Sequence, residues 1–420
     1  MKKFFALLLS GAMILSLCAC GSSESSTGAT ASETTDATAS ETTDATAATE
    51  SLNVKAGFIC LHDENSTYDL NFLNAAKEAC DALGVEYIIK TNIPEGQECY
   101  DAACELADEG CNFIFADSFG HEDYMIEAAK EYTDIQFAHA TGTKAHTEGL
   151  SNFHNAFASI YEGRYLAGIV AGMKLNEMIA NGEITEDQAK MGYVGAYTYA
   201  EVMSGYTSFY LGAKSVCPSV TMEVTFTGSW YDETAEKEGA NKLISDGCVL
   251  ISQHADSMGA PTACETAGVP DVSYNGSTAS ACPETFMVSS RINWAPYFTE
   301  CIKNVAAGTA IPTDYVGSIA TGSVELTEFG KNVAEGTAEA VEKAKSEFAA
   351  GSLHVFDTKT FTVDGAEVTS YMADVDTDAN YEGDHEAITN GYFNESGEGF
   401  RSAPYFNLQI DGISLLDTAF

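Results

Sequence analysis

Between residues 54 and 252, short apolar runs rich in Ile, Val and Phe recur, and stretches of helical period separate them. The runs are VKAGFICL (54–61), EYIIK (86–90), NFIFA (112–116), IQFAH (135–139), MGYVGA (191–196) and CVLIS (248–252). They are short and apolar on both alternating faces, so they predict strands buried on both sides. Between them, Phe72, Ala76, Ala79, Cys80 and Leu83 fall on one helical face within 72–83. Ala240, Leu243 and Ile244 make the stripe of a helix over 232–246 that Asp232 can cap. A long helix is expected over 157–175, with Ile160, Tyr161, Ile169 and Val170 among its apolar positions. Strands alternating with helices build parallel sheets from βαβ units. This stretch is too long for one such sheet, so an α/β fold of two doubly wound lobes is expected. A strand-like run at 354–363 (HVFDTKTFTV) and the acidic loops after it read as the completion of the second lobe.

The first fifty residues follow no such rhythm. Lys2 and Lys3 precede 14 apolar residues (4–17), too few for a membrane span of about 20. With Leu17-Cys18-Ala19-Cys20-Gly21 after them, residues 1–19 read as a signal peptide ending in what resembles a bacterial lipobox, with Cys20 as the lipidated residue. Residues 20–53 then hold the lipid site and a Ser/Thr/Ala/acidic linker in which ASETTDAT occurs twice. Such a segment lacks the apolar surface to fold and is expected to act as a tether. The protein is therefore expected outside the cytoplasm, anchored to the outer face of a bacterial cell membrane.

Across 420 residues, Lys and Arg number 20 and Asp and Glu 62, for a net charge of −42. That excess opposes nucleic-acid binding and adhesion to anionic lipid, because both need a basic footprint. Hydrophobic residues make up 45%, which is enough for a real core and excludes wholesale disorder.

In open parallel sheets the loops at the strand C-termini line the ligand crevice. Here those loops carry Tyr68 and Asp69, Asp117 and Phe119, Tyr197, Trp230, and His254 and Asp256. Aromatic faces beside hydrogen-bonding groups suit a flat, polar-edged small molecule. Asn293 and Trp294, near a later crossing, complete the ligand-binding set, with Asn293 and His254 able to donate or accept. Arg164 is expected to pair with an acid near the hinge. The ten cysteines after Cys20 contain no CxxC, Asp374–Asp378 lacks the Gly and Glu of a calcium loop, and the sequence offers no P-loop, GxSxG or HExxH. No metal, cofactor or catalytic residue is expected.

Five blocks carry a resemblance: VKAGFICLHDENSTYDLNFLNAAKEA (54–79), FHNAFASIYEGRYLAGIVAG (153–172), MGYVGAYTYAEVMSGYTSFYLGAKSV (191–216), WYDETAEKEGANKLISDGCVLISQHADS (230–257) and INWAPYFTECIKNVAAG (292–308). The chain resembles the basic membrane protein family, the purine-nucleoside-receptor-like solute-binding lipoproteins of ABC importers. The resemblance implies a type I periplasmic-binding fold, two lobes joined by hinge crossovers, and a monomer that hands a ligand to permease subunits without chemistry. It implies residues 54–157 with 291–315 as one lobe and 158–290 with 316–420 as the other. QHADS and NWAPY are more similar to the branch for a free base such as adenine than to the nucleoside branch. Tyr68-Asp69, Asn275-Gly276-Ser277 and Asn293 also depart from the nucleoside pattern. Two other readings stand beside this one: a sensor presenting a flat heterocycle, for example a flavin, to a signalling partner, and a nucleoside hydrolase using His254 and Asp256.

Overall fold

A computed structural model describes residues 52–376, 383–395, 397 and 399–418. The expected signal peptide, Cys20 and nearly all of the linker lie outside the described residues, as does Asp378. Each strand below follows from an apolar run and each helix from an amphipathic stretch, so chain order alone gives the alternation. The strands are β1 (Lys55–Ile59), β2 (Glu86–Lys90), β3 (Phe113–Ala116), β4 (Gln136–Ala140), β5 (Phe153–Ala158), β6 (Lys190–Gly195), β7 (Thr221–Phe226), β8 (Leu250–His254) and β9 (Asp271–Tyr274). They continue as β10 (Phe286–Ile292), β11 (Asp314–Gly317) and β12 (Val324–Leu326). Two small hairpins follow, β13 (Met372–Ala373) with β14 (His385–Glu386) and β15 (Ile388–Thr389) with β16 (Tyr392–Phe393), and then β17 (Ile413–Leu415).

These strands form two large sheets. The first has the order β11-β5-β4-β3-β1-β2 and is parallel throughout. The second has the order β12-β10-β9-β8-β6-β7-β17 and is parallel except where β12 runs against β10. The chain crosses between sheets after β5, after β10 and after β11. In both sheets the strand order reverses next to the first strand of the lobe, and a crevice opens at the C-terminal end of such a reversal.

Each sheet is covered by its own core. In the first, Phe58 and Phe115 pack against the helix Ala295–Ala307 through Phe298, and Phe113 lies edge-on to Phe58. In the second, the helices Ile160–Ala180 and Ala200–Val216 meet backbone to backbone. A Cβ on Gly168 would lie 2.0 Å from the carbonyl oxygen of Phe209, and one on Gly212 would lie 2.0 Å from that of Tyr165. Only glycine allows this approach.

The run 354–363 is not a strand. Asp357 caps a turn, accepting from Lys359 N–H at 3.0 Å, and Thr360 N–H returns to the Asp357 carbonyl at 2.9 Å. That turn lets Phe356 and Phe361 both enter the second-lobe core, which alternation in a flat strand would forbid. Among the described residues all ten cysteines are unpaired thiols, nine of them buried, and no helix is long and apolar enough to cross a membrane.

Candidate functional site

The strand ends of the two sheets meet across a narrow cavity with about 360 Å³ of space between atoms. From the first lobe it is lined by Leu61 and His62 after β1, by Ser118 and Phe119 after β3, and by Tyr68 and Asp69. Those last two sit in the first turn of the helix Thr67–Leu83, which Ser66 caps by accepting from Asp69 N–H. From the second lobe come Trp230, His254, Asp256, Tyr274 and Glu201.

The lobes touch around this cavity. Thr67 N–H donates to the Asp256 carbonyl at 3.1 Å, and Asn71 Nδ2 donates to Asn275 Oδ1 at 3.2 Å. The His62 ring lies 5.4 Å from that of Tyr231, and the Phe119 ring 5.5 Å from that of Tyr199. The arrangement is a closed one.

Burial sets the charges. Asp69 is held below the usual carboxylate range: burial works to raise it, but hydrogen bonds from the His62 ring, the Ser66 hydroxyl and the His62 N–H outweigh that. Asp117 goes the other way, pushed well up by burial and then by Asp69 beside it. Each carboxyl thus feels the other, as like charges at one site do. Cys60, Asp69 and Asp117 each offer a ligand atom within 4.8 Å of the others. Asp256 is pushed well up by burial first, then by Asp69, Glu236 and Glu201. Burial lowers His254 against the pull of Glu201, leaving a neutral imidazole. It lies 3.4 Å from both the Tyr193 hydroxyl and Glu201 Oε1. The buried Tyr274 hydroxyl has no hydrogen-bond partner among the described residues.

Six of the ten residues picked from sequence line the cavity: Tyr68, Asp69, Phe119, Trp230, His254 and Asp256. Asp117 sits one layer behind, accepting from Leu61 N–H at 3.0 Å, while its carbonyl accepts from the Tyr68 hydroxyl at 2.7 Å. Tyr197 supports the wall from outside, stacked on Tyr199 at 4.9 Å and edge-on to Trp230 at 5.1 Å. Asn293 and Trp294 lie away from the cavity. Asn293 Oδ1 accepts from Ala295 N–H at the start of a helix. Trp294, 2% exposed, is a core residue stacked 4.6 Å from Phe72. Among the described residues Arg164 makes no salt bridge, though its charge acts on buried Asp271. It donates to the Ser273 carbonyl and to the hydroxyls of Ser290, Tyr193 and Ser252, with Tyr193, Phe209 and Tyr274 rings about it. It thus forms the floor beneath Tyr274. Leu61, His62, Ser118, Glu201 and Tyr274 also line the cavity without belonging to those ten; all but Glu201 obey the strand-end rule.

A family model described as "ABC transporter substrate-binding protein PnrA-like" matches residues 59–352. A purine-binding protein of Brucella abortus is 33% identical over 261 residues, which is 61% of this chain and 70% of that one. A putative ABC transporter glucose-binding protein of Haloferax volcanii is 31% identical over 235 residues, 56% of either chain. Among solved structures, a solute-binding protein of an ABC transporter system from Conexibacter woesei aligns with TM-score 0.59 and 19% identity, covering 72% of this chain and 98% of that one. One from Aeropyrum pernix gives TM-score 0.61 at 16% identity, covering 72% and 93%. At these identities the structures share the fold.

Proposed function

The chain belongs to the PnrA-like family of ABC transporter substrate-binding proteins, and from that footing we propose that its ligand is a purine, with an adenine-like ring favoured. The observation that carries this is the cavity itself. Tyr68, Phe119, Trp230 and Tyr274 bring aromatic rings to one narrow space, and among them stand the carboxyl groups of Asp69 and Asp256 and the Tyr274 hydroxyl, which has no partner among the described residues. A purine offers two π faces and an edge of alternating donors and acceptors. Stacking on an aromatic side chain contributes about 1–3 kcal/mol per base, and a buried polar group left unpaired costs about 1–3 kcal/mol, which a matching ligand edge removes. The relative from Brucella abortus, named as purine-binding, points the same way.

In this reading the protein binds and releases its ligand unchanged, tethered through lipid on Cys20 outside the cell membrane, and presents the closed form to a permease. His254 is buried between Tyr193 and Glu201, and its two ring nitrogens face those neighbours at 3.4 Å. The test is mass spectrometry of the small molecule released from unheated purified protein, followed by calorimetry with adenine and, as comparator, glucose. Tight adenine binding without product supports the reading. Absence of adenine binding at millimolar concentration, or glucose binding in its place, overturns it.

A further inference from the structure

Three side chains of the first lobe converge beside the ligand cavity. Cys60 follows β1, Asp69 stands in the first turn of the helix Thr67–Leu83, and Asp117 follows β3. The Cys60 Sγ and one oxygen of each carboxylate all lie within 4.8 Å of one another. Cys60 and Asp69 are 1% exposed and Asp117 0%. The three come from separate segments, so no spacing along the chain announces them.

Each is held in place from outside the cluster. Cys60 N–H donates to the Lys90 carbonyl at 2.8 Å, and Asp117 N–H donates to the Ile59 carbonyl at 3.2 Å. Leu61 N–H donates to Asp117 Oδ1 at 3.0 Å, and His62 N–H donates to Asp69 Oδ1 at 2.7 Å. The Ser66 hydroxyl donates to Asp69 Oδ2 at 2.6 Å. One acceptor is left over. Asp117 Oδ2 is buried and has no hydrogen-bond partner among the described residues. The groups that act on it from within the cluster, Asp69 and Cys60, are themselves acids. Among the described residues neither carboxylate forms a salt bridge with Lys or Arg; the bases beside them are His62, 3.3 Å from Asp69, and His121, 3.9 Å from Asp117.

Buried anions without a cation are unfavourable, and a free carboxylate oxygen beside a thiol and a second carboxylate is a donor set for a metal ion. Magnesium and calcium take oxygen ligands, whereas zinc accepts Cys sulfur and Asp oxygen in one tetrahedral shell. Its bonds of about 2.0–2.3 Å place ligand atoms roughly 3.5 Å apart, so small side-chain movements bring this cluster to that spacing. The hydrogen bonds to the Oδ1 atoms of Asp69 and Asp117 supply the outer support that orients metal-binding carboxylates. We propose that Cys60, Asp69 and Asp117 bind one zinc-like divalent ion, which braces the first-lobe wall of the cavity by joining the ends of β1 and β3 to the helix that carries Tyr68. All three ligands belong to one lobe, so the ion needs neither lobe closure nor a bound small molecule, and the inference stands apart from the purine reading.

The test is calorimetry on metal-stripped full-chain protein, kept reduced with a phosphine, titrated with zinc chloride and, as comparator, magnesium chloride. One equivalent of zinc is expected with a Kd of about 1 μM or tighter, and no magnesium binding in that range. Cobalt chloride is expected to give a sulfur-to-cobalt charge-transfer band in the near ultraviolet. Cys60→Ser abolishes that band and weakens zinc at least about tenfold. Cys104→Ser, which alters the one described cysteine that is not buried, leaves both unchanged. Asp117→Asn keeps an acceptor for Leu61 N–H and weakens zinc at least about tenfold. Wild-type protein that takes up no zinc at about 1 mM, or gives no sulfur-to-cobalt band, overturns the site, and this readout stands even where a variant fails to fold. Unchanged zinc affinity in folded Cys60→Ser or Asp117→Asn also overturns it, by moving the ion to surface carboxylates.

Discussion

The backbone N–H of Thr67, the first residue of a first-lobe helix, donates to the carbonyl of Asp256 in the second lobe at 3.1 Å. The Thr67 hydroxyl donates to the same carbonyl at 3.3 Å, so this residue ties the loop that carries Asp256 to the helix that carries Tyr68 and Asp69. Closing the lobes and assembling the ligand walls are the same event.

Thr67→Pro tests that link. Proline removes the N–H yet suits the first position of a helix, and Ser66 before it is already extended at φ −80°, ψ 126°. The substitution removes the N–H and the hydroxyl together, and two hydrogen bonds of about 0.5–1.5 kcal/mol each correspond to purine affinity at least about fivefold weaker, with unchanged thermal stability in the absence of ligand. Affinity equal to wild type would show that closure does not depend on this contact.

The two tryptophans are expected to separate binding from folding. Trp230→Ala removes a cavity wall and weakens purine binding at least about tenfold, with the fold intact. Trp294→Ala opens a hole among Phe72, Phe115 and Phe298 and costs about 3–5 kcal/mol of stability. Calorimetry and denaturant unfolding on both variants check the contrast; similar profiles would undo it.

Tyr274→Phe deletes a buried hydroxyl that has no partner among the described residues. Ligand-free stability is expected to hold or rise, while purine affinity falls about tenfold as the ligand loses its partner. A variant that binds as tightly as wild type removes Tyr274 from the polar contacts.

Glu236 predicts a pH dependence. Both its oxygens accept from Ser257 N–H at 3.2 Å, and burial raises its carboxyl from 4.5 to about 7. Between those values the folded protein keeps a proton that the unfolded chain has lost. Stability present below about pH 4.5 is therefore given up as pH rises towards 7. Asp271, also raised by burial to about 7, adds to the trend. Thermal melts from about pH 5 to 7 should fall less steeply in Glu236→Gln, which stays neutral throughout. An identical slope would assign the effect elsewhere.

Much of this architecture is legible in the chain because strands buried on both faces leave a mark that surface strands do not. The runs at 86–90, 112–116 and 191–196 lie within a residue of strands β2, β3 and β6. The strand-end rule reached Tyr68, Asp69 and His254 for the same reason. It missed Tyr274 because DVSY over 271–274 is too polar to read as a central strand, although all four residues are buried. Glu201 was hidden differently: it projects from the first turn of a helix, where an acid is ordinarily read as a response to the helix dipole. Trp294 misled because an aromatic at a crossing looks like a ligand wall. The apolar stripe it begins, through Tyr297, Phe298, Cys301 and Ile302, is the core-facing side of the next helix. The run 354–363 misled because apolar content does not reveal the turn that Asp357 makes in its middle.

The second sheet takes its outermost pairing from β17, residues 413–415, which lie beside Met222, Glu223 and Val224. A ribosome or export channel delivers β7 long before those residues. Until they arrive, the newborn chain carries a bare row of amide and carbonyl groups along one flank, open to any other extended peptide nearby. Holdase chaperones should therefore stay engaged until this last seam is sewn, and chains cut off ahead of it should clump rather than mature.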